Sequence, residues 1–229
     1  MPTIRARARA QLPSVLLTLL SIIQAVALER LWGLTVQRED LFILSWQAGL
    51  GWLQIANIFF AIVVIWLVYL GLVMRFRWTP STGDLTYPLV VGVVELMLIE
   101  TMGMENLGQW FMVFALVFLL LQWLAHNLYR RAREDPENKQ FFEFMARATW
   151  QDHIKRTTVS FIAFIFGVLL WDSAGKEWLA LLGLLMCSAV VLSQIWASHK
   201  FWESSMAMNP EVLSANNVSA NEKAEDHTS

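Results

Sequence analysis

The chain has 229 residues, 56% hydrophobic and 16% charged, where a soluble domain carries about a quarter charged residues. Together with a mean hydropathy of +0.47, this excludes an ordinary soluble domain and predicts an all-α, polytopic transmembrane bundle. The net charge of −2 says little because the charges are segregated along the chain, and the single cysteine, Cys187, gives no support to a disulfide framework or a cysteine metal site within one chain.

In chain order, residues 1–11 form a basic segment with Arg5, Arg7 and Arg9. Six apolar runs follow, at or near the roughly 20 residues needed to cross a hydrocarbon core of about 30 Å. They cover 12–34, 46–74, 85–104, 107–129, 157–171 and 177–198, so spans one to four occupy 12–129 and spans five and six 157–199. The first run is too long for a signal-peptide core, lacks an A-x-A cleavage site and contains Glu29-Arg30, so it reads as a retained span.

Basic residues fall in alternate connections: Arg5, Arg7 and Arg9 before span one, Arg75 and Arg77 after span two, and Arg130, Arg131, Arg133, Arg147, Lys155 and Arg156 between spans four and five. The positive-inside rule then places both termini in the cytoplasm. Trp32, Trp46, Trp52, Trp110, Trp171 and Trp178 fall near the opposite boundary, where indoles act as anchors. The short connections at 104–106 and 172–175 make helical hairpins of spans three and four and of spans five and six.

The segment 130–156 opens a helix at Asp135, with Pro136 at the first helical position and Glu137 in the first turn. Phe141, Met145 and Ala148 share a face flanked by Phe142 and Phe144, which predicts an amphipathic cytoplasmic surface helix. Residues 200–229 lose the apolar period and read as a polar, disordered cytoplasmic tail. A Q-x-x-A pattern recurs at Gln24, Gln122 and Gln194, too short to establish a repeat.

Ionisable groups in hydrocarbon are costly, about 2.5–3.5 kcal/mol on insertion scales, and mark functional sites or helix-pairing groups. The stretch VVELMLIET places Glu95 near the midplane and Glu100 about 7 Å further out, at the depth of Glu29. Gln54 and Asn57 lie in the outer half of span two. These five residues are the candidate transport or ion-binding groups. A separation of five positions rotates Glu95 and Glu100 by about 140°. One arrangement sets Glu95 towards Asn57 and Glu100 towards Glu29, where two like charges raise one pKa unless Arg30 or a cation intervenes.

On the cytoplasmic side Gln122, His126 and Arg130 form a polar stripe, and Gln194, Ser198 and His199 reach comparable depth on span six. Two histidines at one depth are the minimum for bis-imidazole haem ligation at His126 and His199; the simpler reading is that both are interface residues. No hydrolase, phosphate-loop or metal-ligand signature is present, so no catalytic residue, no metal and no resident cofactor are expected.

The resulting expectation is a multi-pass bacterial inner-membrane protein, a small channel or transporter for protons, cations or a small solute. It would work in the lipid bilayer, as a homo-oligomer or with a membrane-protein partner, and without nucleic acid. The alternatives are a membrane scaffold or assembly subunit and a haem-binding electron-transfer subunit.

Overall fold

The computed structural model describes residues 4–76, 81–139, 142, 150–172 and 174–206. These residues are all-helical, with six α-helices and no strand among them: α1 (Ile4–Gln37), α2 (Trp46–Arg75), α3 (Thr82–Glu100), α4 (Leu107–Glu134), α5 (Trp150–Leu169) and α6 (Glu177–Met206). Each overlaps one predicted apolar run, since a long apolar run satisfies its own backbone as a helix. However, α1 begins about eight residues before its run and α5 about seven before, and α6 continues to Met206, so the first residues of the segment read as a tail (200–229) are helical. Four of them, α1, α2, α4 and α6, are long and apolar enough to cross a membrane. Helix α3 holds Asp84, Glu95 and Glu100 within 19 residues, and the apolar part of α5 is limited to Thr157–Leu169.

Local chemistry fixes the helix ends. Ser45 caps α2 by accepting from Ala48 N at 3.0 Å. Before α3, the Asp84 carboxylate reaches back to Ser81 N at 2.7 Å, the reciprocal half of a capping box. The turn between α3 and α4 passes through Gly103 at φ +138, a conformation that side-chain-bearing residues avoid. Asp135 does cap as expected, accepting from Glu137 N at 3.1 Å, and Pro136–Asn138 then form a single 3-10 turn. The predicted surface helix beyond it lies largely outside the described residues, as does the tail after Met206.

Successive helices alternate in direction. The starts of α1 and α3 meet the end of α4 through Arg9–Asp135 and Arg131–Asp84. At the opposite end the starts of α2 and α6 meet through Trp46 and Trp178, with ring centroids 5.1 Å apart. Backbone contacts join α1 to α3, α3 to α4, α4 to α5, α5 to α6, α6 to α2 and α2 to α1. The six helices therefore close into a ring, one end of which carries most of the arginines.

The ring is filled by side chains. Half of the apolar window of α2 and of α4 is buried, against 28% for α1 and α6, so α2 and α4 form the inner wall. Trp110, Phe111 and Phe114 of α4 are essentially inaccessible, with Trp110 stacked on Phe114 at 5.1 Å. This corrects the sequence reading of Trp110 as a boundary anchor. Position 110 lies four before Phe114, on the inward stripe of its helix, whereas Trp32, Trp46, Trp52, Trp171 and Trp178 are all exposed.

Two seams rely on missing side chains. A Cβ at Gly108 would come within 2.7–2.8 Å of the Trp171, Gly167 and Leu170 backbones, so α4 and α5 touch main chain to main chain. A Cβ at Gly92 would collide with Ile23, which brings α1 and α3 together near Glu95.

Candidate functional site

Glu95 is the acid at the centre of the α1–α3 seam. It is 1% exposed, and Gln24, 6% exposed, faces it from α1. Gln24 Nε2 donates to Glu95 Oε2 at 3.1 Å. The other carboxylate oxygen, Oε1, and the amide oxygen of Gln24 are buried and have no hydrogen-bond partner. The pairing follows from the helix geometry: α1 and α3 run in the same direction, Ile23 packs over Gly92, and the next α1 residue meets the acid one turn further along α3.

Glu100 does not share this environment. It lies five positions on, at the last residue of α3, and Arg30 of α1 holds it through Nε and Nη2, the latter at 2.9 Å. Both members of that pair are about half exposed. Glu29 is exposed as well. Of the two arrangements that the sequence allowed, a meeting of Glu29 with Glu100 or an intervening Arg30, Glu100 takes the cation.

Glu95 and Glu100 both find partners on α1, despite the rotation between them. Long side chains on parallel helices reach around to the same neighbour, and Gln24 and Arg30 supply the matching spacing. Glu95 therefore has Gln24 as its partner, not Asn57. Because α3 ends at Glu100, Glu95 also lies in the half of the bundle away from the arginine-rich end.

Gln54 and Asn57 are each 1% exposed and serve other seams. Gln54 Oε1 accepts from Gly103 N at 3.1 Å and pins the α3–α4 turn to α2. Asn57 Nδ2 donates to Leu53 O at 2.9 Å and to Leu184 O at 3.2 Å, which ties α2 to α6. The five outer polar candidates thus divide into one buried acid with an amide partner, one surface ion pair, one exposed acid and two cross-helix ties.

The second candidate group is similarly dispersed. Gln122 donates to Thr157 Oγ1 at 3.3 Å across the α4–α5 seam. His126 and Arg130 are exposed, and Gln194 is partly covered. His199 is exposed and turns to Glu203 of its own helix at 3.3 Å. His126 and His199 thus both lie on exposed faces of their helices. Among the described residues no three His, Cys, Asp or Glu side chains are placed to hold a metal ion.

The arginine-rich end carries the strongest ionic contacts. Asp84 is nearly inaccessible and receives Arg131, which also donates to Ser81 Oγ at 2.6 Å. Arg9 of α1 joins Asp135 and reaches Glu137 at 3.1 Å. These contacts lock the starts of α1 and α3 to the end of α4, while the opposite half of the α1–α3 seam is joined by Gln24–Glu95 and, at its end, by Arg30–Glu100.

Sequence reasoning identified the acid and missed its partner. Gln24 was visible as a polar residue inside an apolar run and as the first residue of a Q-x-x-A pattern, but only the packing of α1 on α3 shows which acid it meets. Comparison with protein-family models, with curated proteins and with solved structures finds no match to this chain.

Proposed function

We propose that this chain is a six-span integral membrane protein, with both termini on the cytoplasmic side, that moves a proton, a cation or a small solute by way of Glu95. The observation that carries the reading is the Glu95 carboxylate, buried between two helices with one of its oxygens unpartnered. Acids within membrane spans are costly, and ion and proton paths are among the uses proteins make of them. The orientation rests on the arginines gathered at one end of the ring.

Because aromatic side chains fill the ring, transport along a fixed central pore is not part of this reading; the α1–α3 seam is. Pro13 and Pro88 interrupt the hydrogen-bond ladders of α1 and α3 and give these two helices points at which to bend. The test is flux in proteoliposomes at two pH values, with protons, monovalent cations and small solutes offered in turn. Flux that changes with pH in the wild type and is lost in Glu95→Gln is expected; equal flux in the two proteins overturns the assignment of Glu95.

A second reading, a membrane scaffold, draws on the same filled interior and on Gln54 and Asn57 being engaged in ties between helices. Purification in mild detergent separates the two. A stoichiometric membrane-protein partner favours the scaffold, and a homo-oligomer opposes it.

A further inference from the structure

The proposed role of Glu95 leaves open what the site takes, and the arrangement of its atoms narrows that choice. Two buried oxygens, Glu95 Oε1 and Gln24 Oε1, both lack a donor, while the remaining oxygen of Glu95 already accepts the Gln24 amide N–H. A carboxylic acid and a primary amide are complementary in just this way: the amide N–H donates to the acid carbonyl, and the acid O–H donates to the amide carbonyl. A proton on Glu95 Oε1 would make that oxygen a donor and offer the Gln24 amide oxygen, in the same side-chain pair, a partner. A hard cation such as Ca2+ or Mg2+ would require about six oxygen ligands, and among the described residues no three His, Cys, Asp or Glu side chains are placed to hold a metal ion.

We infer that Glu95 and Gln24 form a proton-binding site, in which a proton taken up from water closes an eight-membered acid–amide ring across the α1–α3 seam. The inference rests on the transport reading only for its biological use. In the binding step one O–H bond forms on Glu95 and no bond within the protein breaks; release returns the proton to water. Gln24 is a positioning residue, since it orients the acid and supplies the acceptor.

The surrounding charges leave the site to itself. On α1 the next ionisable groups are Glu29, which is exposed, and Arg30, which Glu100 engages. On α4, Arg131 is committed to Asp84 at the other end of α3, and His126 is exposed near the same end. On α2, Tyr69 is buried in the bundle. On α3 itself, Asp84 and Glu100 have arginine partners.

Infrared difference spectroscopy of the full chain in lipid tests this directly, because a carboxylic acid has a C=O stretch that a carboxylate lacks. The expected result is a carboxylic-acid band that moves in heavy water, is missing in Glu95→Gln, shifts to higher frequency in Gln24→Leu and does not respond to sodium, potassium or calcium. Should Glu95→Gln fail to fold, the shift in Gln24→Leu carries the assignment. No such band at any pH where the protein stays folded, or a band removed by one of those cations, overturns the inference. If the band is present while flux is independent of Glu95, the proton site stands and the transport reading fails; if flux needs Glu95 and no band exists, the reverse holds.

Discussion

The side-chain amide of Gln24 on α1 donates to the buried carboxylate of Glu95 on α3 across 3.1 Å. Hydrogen bonds between membrane helices are individually modest, about 1–2 kcal/mol in model peptides and less in measured cycles. An acid left with no partner in the same place costs more than the bond itself contributes, because the desolvation penalty is then uncompensated. Gln24→Leu is accordingly expected to destabilise the bundle by about 1–2 kcal/mol. Replacing both residues by Leu should recover much of that loss, as read from unfolding in mixed micelles. Additive losses would show that the two side chains are not coupled.

The Arg131–Asp84 contact should be the most sensitive ionic pair. Asp84 has a side chain 1% exposed, and Arg131 retains 24%. Arg131→Ala would strand a buried carboxylate, at a cost of about 3 kcal/mol, the lower end for breaking a buried pair because Arg131 still reaches solvent. Adding Asp84→Asn should restore part of the stability while leaving the Ser81 N–H with an acceptor. Thermal unfolding in detergent checks both steps, and a silent Arg131→Ala would count against the pair.

Glycine substitutions should separate close packing from open surface. At Gly108 an added methyl meets three backbone atoms that cannot rotate away, so Gly108→Ala is expected to cost about 1–3 kcal/mol and Gly108→Val more. Nothing lies within 4 Å of a Cβ built on Gly33, and Gly33→Ala should be neutral or stabilise α1 by about 0.5–1 kcal/mol. Equal effects at the two positions, measured by the same unfolding assay, would contradict the backbone contact between α4 and α5.

The connection between α1 and α2 carries a pH dependence of defined sign. Arg38 grips Asp40 through Nε at 3.2 Å and Nη2 at 2.6 Å, and this holds the Asp40 carboxyl below its ordinary value. A depressed folded value means that the pair's contribution is complete above the unfolded carboxylate value and is lost as pH falls through the folded one. The effect is small because both groups meet solvent and salt. Since Trp52 Nε1 donates to Leu41 O next to this pair at 3.0 Å, acidification should shift the Trp52 indole N–H resonance. Asp40→Asn should abolish that acid-side shift.

Much of the fold was legible from the chain because apolar length is a local property. The six runs, the cap at Asp135-Pro136 and the tight turn near 104–106 need only neighbouring residues for their explanation. The same logic failed for Trp110, since an indole near a helix end can face lipid headgroups or the bundle interior, and only the neighbours across the seam decide which. For the site, depth counting identified Glu95 and Glu100 as two separate problems. It could not assign Gln24 and Arg30 as their partners, because rotation about one helix does not say which helix stands opposite.

By itself, then, the sequence determined that this protein is helical, apolar and charged asymmetrically, since those properties follow from composition and from the backbone's need to satisfy its own hydrogen bonds in a poor solvent. The tertiary structure alone decided that the helices close in the order α1, α3, α4, α5, α6, α2 around an aromatic filling. It also decided that Asn57 is a tie to Leu184 and that Glu95 meets the amide of Gln24 in place of that of Asn57. Those outcomes depend on which small residues let which helices approach, with Gly92 under Ile23 and Gly108 against Gly167 setting the seams, and contact of that kind has no signature within any single segment of the chain.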